Sequence, residues 1–160
     1  MEISLNLLKL CEFLEEKKAE DIVVVDARHM SNIADFYIIA TSTSSVHTKG
    51  IADFLETEAL KLNGFDYVSR EGFNLSDWVV LDLNNVFVHI LTKQKRDYYS
   101  LEKLLNEGNN IKTYDKFKKE FEKSEKELKN NKEKGNKVKG NKQKENKEKG
   151  KKEKIKKSKK

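Results

Sequence analysis

Apolar positions recur along the first hundred residues with two different periods, and each change of period marks an element. Ile3, Leu7, Leu10, Cys11 and Leu14 fall on one stripe at helical spacing, which predicts an amphipathic helix over 3–18. Lys17 and Lys18 near its end complement the helix dipole. Residues 22–26, IVVVD, form an apolar run of strand length, the pattern of a strand covered on both faces. An irregular link over 28–35 leads to a second strand at 36–41, FYIIAT. Thr41 to Ser45 offers natural N-cap side chains. Ile51, Leu55, Ala59 and Leu62 then place a helix over 46–62 that stops at Asn63-Gly64. Residues 65–69 read as a third strand; if it lay parallel to the second in one sheet, the crossover would be right-handed.

The most informative stretch is Trp78 to Leu91, WVVLDLNNVFVHIL, which predicts a β-hairpin turning at Asn84-Asn85. With the turn there, Leu83 faces Val86, Asp82 faces Phe87, Leu81 faces Val88, Val80 faces His89, Val79 faces Ile90 and Trp78 faces Leu91. One face, Val79, Leu81, Leu83, Val86, Val88 and Ile90, is wholly aliphatic and reads as core. The other carries Trp78, Val80, Asp82, Phe87, His89 and Leu91. Two readings fit it: a second core layer under helices, or a partner-binding surface, since Trp near polar groups is favoured at protein contacts. Burying a Trp removes roughly 150–250 Å² from water, about 4–6 kcal/mol gross before association costs.

Residues 97–106 predict a short last helix with Leu101, Leu104 and Leu105 inward. The fold class is therefore α/β: a mixed five-stranded sheet packed with helices, followed by a basic low-complexity tail. The folded domain is expected at 1–107 and the tail at 108–160. In the tail, Tyr114, Phe117, Phe121 and Leu128 make a sparse helical seam over 111–129. Beyond about residue 130 apolar residues nearly vanish, KGNK at 134–137 returns at 139–142, and disorder is expected.

Charge sharpens this division. Residues 1–107 hold 11 Lys and Arg against 18 Asp and Glu, a net of −7, whereas 108–160 hold 22 against 9, a net of +13. An acidic body repels phosphates and suits a basic protein partner. One cysteine, Cys11, sits on the apolar stripe, which suits a reducing, cytoplasmic setting; no signal peptide, span or other membrane element is evident.

Candidate chemistry is sparse. His29, His47 and His89 lack metal-ligand spacing, so no metal is expected. The Thr41–Ser45 loop could hold an anion on free N–H groups or simply cap a helix. No phosphate-cradling glycine motif is present, and no cofactor is expected. Asp26, Asp35 and Asp82 form no carboxylate pair on one strand, and Ser31, Ser44 and Ser45 lack the surroundings of an activated nucleophile. These patterns point to a binding protein, not an enzyme. Lys93, Arg96, Asp97, Tyr98, Tyr99 and Glu102 after the hairpin read either as interface or as an ordinary helix start.

Several blocks in order resemble one family. Lys18 to Asp26 resembles its KAEDIVVLD opening, and Ile33 to Thr41 its IADYFVIAT. Glu71-Gly72, Trp78 to Asp82, Val88-His89 and Arg96-Asp97-Tyr98-Tyr99-Ser100-Leu101-Glu102 are similar to its later blocks. This is the ribosomal silencing factor family, also called the Iojap family, and the resemblance covers roughly residues 5–105. It implies a non-enzymatic protein that binds the fourteenth ribosomal protein of the large subunit at the intersubunit face. Bound there, it blocks joining of the small subunit and represses translation. It also implies a homodimer when free. The distant fold likeness to nucleotidyltransferases leaves an enzyme of that kind as the alternative. The partner-binding residues expected are Trp78, Asp82, Phe87, His89, Arg96, Tyr98, Tyr99 and Glu102, with ribosomal RNA contact by the basic tail. Ser42, Asn84-Asn85 and Leu105 depart from the family's usual Gly, Gly-Asp and Trp.

Overall fold

The apolar stripe of the first helix and the paired β-branched runs meet around one sheet. The structure, a computed structural model, describes residues 2–65 and 69–129. In order, the elements are α1 (Glu2–Glu16), β1 (Glu20–Asp26), β2 (Phe36–Ser42), α2 (Ser45–Ala59), β3 (Ser69–Glu71), β4 (Trp78–Asp82), β5 (Val86–Thr92), α3 (Lys93–Tyr99), α4 (Leu101–Leu104) and β6 (Ile111–Thr113). Residues 114–129 are helical. The sheet has six strands in the order β3-β4-β5-β2-β1-β6. Among the described residues, only β2 and β5 pair in parallel and the other neighbours are antiparallel, so the sheet is mixed. The compact unit that contains it ends at Lys119.

The hairpin forms in the expected register, from Trp78↔Leu91 to Asp82↔Phe87, and the Leu83 N–H closes it onto the Val86 carbonyl. Asn84 takes a φ of +69°, and the Asp82 carboxylate accepts its N–H at 2.9 Å. The Asn85 carbonyl accepts from both Asp35 and Phe36. That stitch starts the β2–β5 ladder at Phe36↔Val86. Val79, Leu81, Leu83, Val86, Val88 and Ile90 are all fully buried. With Ile38 and Ala40 of β2 they lie on the face covered by α1 and α2, whose Leu7, Leu10, Leu14, Ile51 and Leu55 are also buried. Burying each such side chain contributes about 1.5–3 kcal/mol.

Several expectations meet a different structure or fall outside the described residues. The sheet has a sixth strand, β6, at residues expected to begin the tail helix: Ile111–Thr113 pair with Val23–Val25, and the helix starts only at 114. Of the third strand, expected at 65–69, the described part is Ser69–Glu71. It lies antiparallel to β4 at the sheet edge, and the parallel neighbour of β2 is β5. Residues 66–68 lie outside those described. The last helix is two pieces, because Ser100 sits in the left-handed region (φ 47°, ψ 51°) and caps α3. Leu104 is 73% exposed, while Leu101 and Leu105 do pack inward against Val25, Ile39 and Leu91. The expected disorder beyond residue 130 also falls outside the described residues.

Smaller shifts have local causes. α1 stops at Glu16 because Lys18 turns left-handed (φ 58°), and Ala19 N–H reaches the Leu14 carbonyl in a Schellman arrangement. α2 starts under Ser44, whose extended backbone lets its hydroxyl accept the His47 N–H at 3.1 Å. Ser44 thus caps the helix, while Thr41 and Ser42 belong to β2.

A half-open aromatic face on the hairpin

The second face of the sheet divides in two. Leu91, Ile39 and Val25 are fully buried there, under Leu101 and Leu105. Trp78, Val80, Asp82, Phe87 and His89 are half-buried. The core-layer reading therefore holds for the first group, and the second group is left half open.

On the half-open part the rings form a chain. Tyr98 stands edge-on to Tyr99 at 5.0 Å, Tyr99 lies 4.9 Å from Trp78, and Trp78 lies 5.9 Å from His89. His89 continues to Tyr37 at 5.8 Å, and Tyr37 to Phe87 at 5.9 Å. The Trp78 Nε1–H donates to His89 Nδ1 at 3.2 Å. Burial pushes the His89 imidazole down to about 4, so it is neutral at pH 7. Tyr98 is 81% exposed and ends the chain in solvent.

Five of the eight expected residues, Trp78, Phe87, His89, Tyr98 and Tyr99, are therefore joined through ring contacts. Asp82 shares the face but spends one carboxylate oxygen on its own turn. Arg96 and Glu102 face each other: Arg96 Nε and Nη2 both donate to Glu102 Oε1, and Nη1 donates to Thr41 Oγ1 at 2.7 Å. With 11% of its side chain exposed, Arg96 braces α3 against α4 and β2. It presents little of its charge outward.

Tyr37 is the residue that sequence reasoning missed. Alternation in FYIIAT sets it opposite Phe36, but only the non-local β2–β5 ladder reveals that it lies beside Phe87. Its hydroxyl hydrogen-bonds Ser31 Oγ at 3.1 Å. The loop before Trp78 is equally built for purpose. Gly72 takes a φ of +77°, and its carbonyl accepts the Ser76 N–H. Asp77 then accepts from the Ser45 hydroxyl at 2.6 Å, which fixes where β4 begins.

Among the described residues no group of three or more His, Cys, Asp or Glu side chains is placed to hold a metal. Cys11 is a buried free thiol, and burial pushes its ionisation far up, so it is no nucleophile. No helix among the described residues is long and apolar enough to cross a membrane.

The family model described as ribosomal silencing factor during starvation matches residues 2–156. A ribosomal silencing factor of Haemophilus influenzae is 45% identical over 95 residues, which span 59% of this chain and 92% of the relative. That of Bacillus subtilis is 38% identical, over 56% of this chain and 75% of the relative. A mouse protein named for mitochondrial assembly of the ribosomal large subunit is 29% identical, over 59% of this chain and 42% of its own length. A crystal structure from Chromobacterium violaceum superposes with a TM-score of 0.61 at 33% identity, covering 66% of this chain and 87% of that one. With that fold, those ordered blocks and that match along most of its length, this chain belongs to the ribosomal silencing factor family.

Proposed function

We propose that this protein binds the large ribosomal subunit through its fourteenth ribosomal protein, at the intersubunit face, and blocks joining of the small subunit by steric exclusion. Translation is repressed as a result. The observation that carries this reading is the half-open aromatic face of the hairpin in a chain of this family. Trp78 and Tyr99 offer a large apolar contact there, and Tyr98 projects from its rim. The net charge of −7 over residues 1–107 suits a basic partner. The mouse relative's name points to the same subunit. The protein acts in the cytoplasm and pairs as a homodimer when free. The basic tail adds a salt-sensitive contact to ribosomal RNA.

Sedimentation tests the reading directly. Purified large and small subunits are mixed under conditions that favour joining, with and without this protein. The joined peak should fall, and the protein should travel with the large subunit. Trp78→Ala should weaken that binding by about tenfold or more, as for a central hot spot. Unchanged joining, with the protein left at the top of the gradient, would refute the proposal. Deleting residues 130–160 should flatten the dependence of binding on salt; an unchanged slope would remove the tail from the contact.

A further inference from the structure

His89 does more on this face than fill space. Its Nδ1 is occupied by the proton of Trp78 Nε1. A ring nitrogen that accepts a hydrogen bond carries no proton of its own, so the neutral imidazole holds its proton on Nε2. Nε2 has no hydrogen-bond partner among the described residues, and none of their buried side-chain polar atoms is left unpaired. Nε2 therefore reaches solvent. The result is one polar donor, held in a fixed tautomer and flanked by Trp78 and Tyr37.

We propose that the His89 Nε2–H donates a hydrogen bond to an uncharged acceptor, a main-chain carbonyl, on the large-subunit protein, and that Trp78 is the positioning residue that holds the imidazole in this tautomer. This rests on the function proposed above. The acceptor is uncharged because a body with a net of −7 over residues 1–107 selects a basic surface, where main-chain carbonyls are the abundant acceptors. A neutral donor also crosses into a drying interface far more easily than an imidazolium would. It discriminates as well, since a partner that presents no acceptor leaves the Nε2–H desolvated and unpaired.

Two measurements test this. Nitrogen-15 NMR of the labelled full-length protein reads the tautomer: a protonated Nε2 and a bare Nδ1 are expected for His89. Trp78→Phe keeps a ring there but removes the donor, and should shift His89 toward a mixture of tautomers. A protonated Nδ1 in the unaltered protein would overturn the assignment. Binding to purified large subunits reads the donor. His89→Gln, whose amide nitrogen stands near the place of Nε2, should bind within about threefold of the unaltered protein. His89→Phe, which keeps the ring and loses the donor, should bind roughly tenfold more weakly. His89→Leu serves as a second donor-free variant if the Phe variant does not fold. Donor-free variants that bind as well as the unaltered protein would overturn the donor role alone. An unaltered protein that does not bind the large subunit would refute the proposed function, and that result is seen before any variant is compared.

Discussion

Gly72 shows how much one residue can decide. A Cβ built on it would stand 2.0 Å from the Trp78 carbonyl oxygen, at a φ of +77°. Gly72→Ala must therefore move the start of β4, and should destabilise the protein by about 2 kcal/mol or more in urea unfolding. His89 makes a prediction in pH. The unfolded chain takes up its proton near 6.5, and the folded one only near 4. Folded stability from this group is thus complete above about pH 6.5 and falls as the pH drops toward 4, by up to about 3 kcal/mol. Urea midpoints between pH 7 and 4 should show this slope, and His89→Gln should flatten it. Arg96 and Glu102 differ from the residues around them. Their charges sit among exposed tyrosines in the chain, which made them read as contact residues. The fold turns them toward each other and Thr41. Arg96→Ala should lower stability by about 1–3 kcal/mol, because it leaves a half-buried carboxylate without its donors.

At the scale of elements, legibility followed sequence distance. The β4–β5 hairpin could be read residue by residue, because alternation and an Asn-Asn turn are local signals. Asn84→Val, which places a β-branched residue at a φ of +69°, should cost about 1–2 kcal/mol in thermal or urea unfolding. Helices α1 and α2 were legible for the same reason, to within a few residues at their ends, whereas the helix expected at 97–106 begins already at Lys93. The neighbours of β2 were not legible. Its parallel ladder joins Tyr37 to Phe87, fifty residues away, and no local pattern encodes that pairing. β6 was hidden differently. Its three residues, Ile-Lys-Thr, are too few to show alternation, and its identity as a strand comes entirely from the β1 edge it meets. The kink between α3 and α4 was also invisible, since it depends on a left-handed Ser100, a residue with no strong preference for that conformation. The candidate face was therefore half legible: its hairpin rings could be named, while Tyr37 and the inward turn of Arg96 could not.

Over the whole molecule, the sheet sorts its load between two faces. Helices α1 and α2 close one of them, and the aromatic chain lies on the half of the other that the last helices leave open. The outermost strands, β3 and β6, are each three residues long, whereas β1 between β6 and β2 has seven. This has a consequence for solubility. A short outer strand offers little main chain for another molecule to pair with, but the strand behind β6 carries Ile22-Val23-Val24-Val25. A chain cut after Glu107 would bare that run as a long, apolar, β-branched edge, the composition that seeds cross-β fibrils. β6 thus covers main chain of β1 that would otherwise lie open to edge-to-edge pairing.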